Sequence, residues 1–224
     1  MKPAFPPGRN PNHLTDRITQ LRSDLAALLL HTGPHLMARR TGSTHETTGS
    51  SSGVFLLPLW GNDTVLSYPA WQAIDSKTGH SLPDFSLALV LYYFLTADGS
   101  PIDQGWISFS QLPDGRFYNQ AFQGYTGGEL QRAFHNGLLR LDKVARAVGG
   151  APVPPKEGIP GNFAWTFQAF PRVRLMLAGW EGDDEFPASY QFLFDASAPH
   201  YLPTDVYALL GSLVTRKLIA ESVV

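Results

Sequence analysis

The sequence predicts an α+β fold: a mainly antiparallel sheet packed with N-terminal, central and C-terminal helices. Three observations carry this. Leucines recur at helical steps near both ends of the chain, short apolar or alternating runs lie between Gly, Pro, Asn and Asp turns, and residues 85–95 are apolar on every side. The order helix, strands, helices, strands, helix, without a repeat of fixed period, separates this pattern from an alternating α/β chain.

Residues 1–13 are rich in Pro and Asn and lack periodicity, so they read as an extended arm ahead of one globular domain spanning 14–224. Leu14, Ile18, Leu21, Leu25, Leu28 and Leu29 line one face of the first helix, which Gly33-Pro34 ends or kinks. Residues 41–53, TGSTHETTGSSSG, offer almost no apolar side chain to bury and are expected to form a mobile loop. VFLLPLW, TVLSY and WQAID then suit antiparallel strands joined by tight turns. FSLALVLYYFL, 85–95, is too short to cross a bilayer. With Pro83-Asp84 before it and Asp98-Gly99 after it, it reads as a helix buried all round.

WISFSQLPDGRFYNQAF predicts a short extended piece, a turn at Pro113-Asp114-Gly115 and the start of another helix. Leu130, Phe134, Leu138, Leu141, Val144, Ala145 and Val148 continue in helical register to Gly149-Gly150, with His135-Asn136-Gly137 as the place where the helix would divide. APVPPKEGIPG, 151–161, is expected to be a Pro/Gly loop. FAWTFQAF, RVRLMLAGW and ASYQFLFDAS are strand-like, and Val206, Leu209, Leu210, Leu213, Val214 and Leu218 give the last helix its buried stripe.

A chain of 224 residues, 43% hydrophobic and 12% aromatic, can bury a sizeable core. A formal net charge of −2 supplies no basic field for a phosphate backbone, which argues against general nucleic-acid binding. Without cysteine the chain can form neither disulfides nor thiolate-held zinc or iron–sulfur centres, and it has no thiol nucleophile. Its first residues lack the apolar run of a secretory signal, so a cytoplasmic protein without a membrane segment is expected; oligomeric state is not legible.

The candidate chemistry centres on WEGDDEFPASYQFLFDASAPHYLP, 180–203. Glu181, Asp183, Asp184 and Glu185 are too compressed for a calcium loop, and the simplest reading is a wet hairpin tip. The functional alternative pairs Asp183, Asp184 or Glu185 with His200 around a metal ion. Asp195 follows an apolar strand and precedes small residues, a position where a carboxylate accepts backbone N–H groups; it also stays a candidate for ligand binding. No nucleophile elbow or P-loop is present, and Ser108 and Ser197 lack a recognisable base. Trp106, Tyr118 and Trp180 each sit at the end of a segment. If they converge beside the acids they would make a concave surface, apolar in its floor and acidic at its edge, for a planar ligand.

LALVLYYFLTADG, GWISFSQLPDGRFYNQAF, FPRVRLMLAGWEGDDEFPA and FDASAPHYLP together resemble an uncharacterised prokaryotic family, domain of unknown function 3786, over about Phe55 to Leu213. The resemblance carries over no catalytic residue, because the family has no assigned activity. Some members add a cysteine-rich segment suited to an iron–sulfur cluster, which this chain cannot hold. What it implies is a binding or accessory role for a small-molecule ligand, a cofactor or a metalloenzyme partner. The sequence thus favours a non-enzymatic ligand-binding or accessory domain, with a metal-assisted hydrolase or lyase as the alternative.

Overall fold

The computed structural model describes residues 12–102, 105–135, 138–154 and 159–222. The chain divides into two compact units, a division that neither hydropathy nor linker composition marks. One comprises the chain up to Pro101 with Phe170–Arg172 and His200–Val206; the other holds Ile102–Ala169, Val173–Pro199 and the chain from Tyr207 onward.

In the first unit, α1 (Asn12–Thr32) and α2 (Pro34–Thr41) are separated by Gly33 in the left-handed region, where the expected break falls. Most of the predicted arm lies outside the described residues; Asn12 and His13 already belong to α1. Four strands follow as a meander of order β1-β2-β3-β4: β1 (Thr44–Gly49), β2 (Ser52–Leu59), β3 (Asn62–Tyr68) and β4 (Gln72–Asp75). The expected loop at 41–53 is therefore replaced by the end of α2, strand β1 and the turn into β2. The loop reading asked for apolar anchors, but an edge strand is held by its backbone ladder. Thr44 to Thr47 pair antiparallel with Leu56 to Gly53, and threonine suits an extended chain. His45 adds a side-chain anchor, its Nε2 lying 2.9 Å from the Tyr68 hydroxyl.

The apolar segment forms α3 (Asp84–Thr96), as expected, with Leu87 to Phe94 all buried. Phe94 meets Phe55 of β2 at 4.9 Å between ring centroids, and Tyr93 stacks on Phe170 at 4.4 Å. The Arg17 guanidinium of α1 lies 5.0 Å from the Tyr92 ring and donates to its hydroxyl.

The second unit is built on a five-stranded sheet of order β5-β9-β8-β7-β6: β5 (Trp106–Ser108), β6 (Ala151–Val153), β7 (Phe163–Phe170), β8 (Val173–Trp180) and β9 (Ser189–Asp195). Its β5–β9, β8–β9 and β6–β7 pairs run antiparallel. Residues 151–153, expected as loop, are the edge strand β6, because Ala151 and Val153 find backbone partners in Thr166 and Ala164. The predicted helix divides into α5 (Gly127–Ala133) and α6 (Leu138–Ala147), after α4 (Gly115–Tyr125). Phe122 of α4 stacks on Phe109 at 4.1 Å and reaches Phe192 and Phe194, while Phe194 packs edge-on against Tyr207 of α7 (Thr204–Glu221). Aromatic rings thus fill the space between the helices and one face of the sheet. Among the described residues no helix is long and apolar enough to cross a membrane.

Candidate functional site

The other face of the five-stranded sheet is built differently. Along β9, Tyr190, Phe192 and Phe194 point to the helices, so alternation sends Gln191, Leu193 and Asp195 the opposite way. Register then supplies their neighbours: Ser108 and Met176 stand opposite Leu193, Trp106 opposite Asp195, and Ala178 opposite Gln191. Ala164, Met176, Ala178 and Leu193 form a small buried cluster, with Trp106, Val153, Ile159 and Trp180 packed against it. Above lies a shallow groove of about 450 Å³. Gln191 and Leu193 lie along it, with Trp106, Ser108 and Gln111 from β5 and the turn after it, and Ile159 and Pro160 from the β6–β7 connection.

Local structure fixes both sides. Gln111 Oε1 accepts from the Ser108 backbone N–H at 2.8 Å and from its hydroxyl at 3.0 Å, a capping box that leaves the Gln111 amide hydrogens for other partners. The β6–β7 connection is held to β8 through Gly161. At φ +88° and with a Cβ position only 2.4 Å from the Gly179 carbonyl oxygen, no other residue fits there. Asn162 N–H donates to the Gly179 carbonyl at 2.8 Å, and its side-chain oxygen accepts from Glu181 N–H at 2.8 Å. The Gln191 carboxamide has no hydrogen-bond partner among the described residues, so both its donor and its acceptor are available.

Arg174 supports the Trp106 end. Its Cζ lies 5.3 Å from the indole centroid, and Nη2 donates to Asp195 Oδ2. Asp195, 2% exposed, also accepts from Ser197 N–H at 3.1 Å and Ser197 Oγ at 2.7 Å. Both carboxylate oxygens are thereby used inside the protein, the role its place after an apolar strand suggested. The ion pair neutralises Arg174 and holds it against the tryptophan.

The acids at the β8–β9 connection close on themselves. Asp183 Oδ1 accepts from Phe186 N–H at 2.7 Å and Glu185 N–H at 2.9 Å, bonds that hold its carboxyl below the usual carboxylate range. Glu181, Asp184 and Glu185 are exposed. His200 belongs to the first unit, where its Nδ1 lies 2.7 Å from Asp98 Oδ2 and 3.1 Å from Ser100 Oγ. Burial pushes the Asp98 carboxyl up, but hydrogen bonds from Ser100 and His200 outweigh it and leave the group below its ordinary value. Because both neighbours engage the same ring nitrogen, no relay passes through the imidazole as in a Ser-His-Asp triad. Among the described residues no three His, Asp or Glu side chains are grouped to hold a metal ion.

Trp106 and Trp180 each pack against the small buried cluster of this sheet face, but of the two only Trp106 lines the groove. Tyr118 is not part of it: it lies on α4, 66% exposed, four residues from Phe122, which packs on the opposite face. Sequence reasoning missed Gln111, Ile159, Pro160, Gln191 and Leu193. Only Gln191 left a signal, a polar residue alternating with Leu193 and Asp195 inside SYQFLFD.

No curated protein and no solved structure matches this chain. The model of one family, the domain of unknown function DUF3786, matches residues 34–217, which includes the groove, the Arg174–Asp195 pair and the Asp183 turn. The chain belongs to the DUF3786 family.

Proposed function

We propose that the protein is a non-enzymatic ligand-binding domain whose site is the groove on the open face of its five-stranded sheet. The observation that carries this is its lining: an indole, aliphatic side chains and three neutral hydrogen-bonding residues, Ser108, Gln111 and Gln191, around a concave surface. Such a lining binds and orients a small molecule, and among the described residues it supplies no general base or strong nucleophile. The one hydroxyl among the described lining residues, Ser108 Oγ, is occupied by Gln111 and by Ser110 at 2.9 Å rather than by a base. The acid run, the sequence-based candidate for metal-assisted hydrolysis, spends Asp183 Oδ1 on its own turn.

A fragment screen by protein NMR tests the proposal. Hits are expected to shift the Trp106 indole and Gln191 side-chain amide signals together, and Trp106→Ala should abolish those shifts while the fold persists. Hits that cluster elsewhere and leave both signals unmoved would overturn it.

A further inference from the structure

We infer that the groove recognises a neutral planar heterocycle through a ring edge that carries a hydrogen-bond donor and acceptor side by side. This deepens, and rests on, the reading of the groove as a ligand site. The argument starts from charge. Among the described residues no ionised side chain lines the groove, and Arg174, which lies against the Trp106 ring, is neutralised by the buried Asp195, so these residues offer a charged ligand nothing in exchange for lost water. Shape comes next: the Trp106 ring, held by Arg174 at 5.3 Å, together with Ile159, Pro160 and Leu193, presents flat and aliphatic surface suited to stacking.

Gln191 supplies the edge. A carboxamide offers C=O and N–H groups about as far apart as the N–H and C=O of a ring lactam, or the amino and ring nitrogen of an aminoheterocycle, and it pairs with either through two parallel hydrogen bonds. Turning the amide over exchanges donor and acceptor without losing the pairing. An extended peptide cannot pair in this way, because its trans amide directs N–H and C=O to opposite sides. Gln191 has no partner among the described residues and stands opposite Ala178, whose small side chain leaves room beside it. The Gln111 amide hydrogens, unused by its capping box, provide a further donor for a second carbonyl.

Two ring sources share this chemistry, and isothermal titration separates them. Riboflavin and adenosine are the probes, each beside an analogue with a blocked edge, 3-methylriboflavin and N6,N6-dimethyladenosine. At least one parent is expected to bind about tenfold or more tightly than its methylated analogue, the discrimination typical of one bidentate contact. That difference should vanish in Gln191→Leu, whose circular dichroism and melting should match the wild type. If parent and analogue bind equally and Trp106→Ala weakens both, the groove is a ligand site but the edge reading fails. If none of the four binds, the edge reading is overturned, while the fragment screen judges the groove itself.

Discussion

The two faces of the five-stranded sheet are made by the same strands and differ in kind. Toward the helices, Phe192, Phe194 and Leu175 are fully buried among Phe109, Phe122 and Tyr207. Toward the groove, residues one position away in sequence are Gln191, Leu193 and Asp195, with an ion pair, a carboxamide that has no partner among the described residues and a tryptophan at an edge strand. The first face maximises apolar area. The second keeps polar groups that contribute little to folding unless paired internally, and Asp195 is paired where Gln191 is not. The contrast separates residues retained for stability from those whose presence needs another explanation.

The largest effect should come from the helix-covered face. Phe194→Ala removes a ring with no exposed surface from three aromatic contacts and should cost about 3–5 kcal/mol in denaturant unfolding. A cost below about 1 kcal/mol would mean that this face is not the core. On the groove face, Asp195→Ala leaves Arg174 without its carboxylate and Ser197 without its acceptor. About 2–3 kcal/mol should be lost, since Arg174 is partly exposed and can regain some hydration. In a double-mutant cycle with Arg174→Met, the two losses should be clearly non-additive.

The first sheet sharpens the comparison with a polar residue kept neutral rather than paired with a charge. His45 lies against Phe55 and Tyr68, and burial, with the His35 charge adding to it, holds its imidazole below the ordinary 6.5 despite the opposing pull of Glu46. A folded-state value below the unfolded one means that the unfolded chain binds the proton more readily. Its contribution to stability is therefore complete above about pH 6.5 and is lost as pH falls through the lowered value. Urea midpoints should drop between pH 7.5 and 5 by more in the wild type than in His45→Phe. Equal slopes would show that burial of this imidazole does not govern the response. The smallest effect should be Gln191→Ala, within about 0.5 kcal/mol of wild type, because it breaks no hydrogen bond among the described residues. A loss above 1.5 kcal/mol would place Gln191 among the structural residues and remove it from the binding argument.

Much of the secondary structure was legible in local pattern. α3 announced itself by an apolar run too short for a membrane and bounded by stop signals, and β7, β8 and β9 by strand-type residues between turns. β1 and β6 were not legible, because edge strands draw their stability from a neighbour's backbone and leave no hydrophobic signature of their own. The candidate site divided the same way. The wet Asp183 turn and the internal use of Asp195 followed from adjacent residues, since the hydrogen bonds involved reach only two or three positions along the chain, apart from Arg174.

What the sequence determined by itself was thus everything set by short range: the α+β class, most helices and strands, the turn chemistry of the acids and the absence of thiol chemistry. What only tertiary structure decided was which side chains meet. Strand register brings Trp106 to Asp195 and Arg174 across 68 to 89 positions, and a glycine-held connection lays Ile159 and Pro160 beside Gln191. Alternation could assign Gln191 to a face, but which face the helices would cover depends on Phe109, Phe122 and Tyr207 packing together, a property of the folded core that no local window contains.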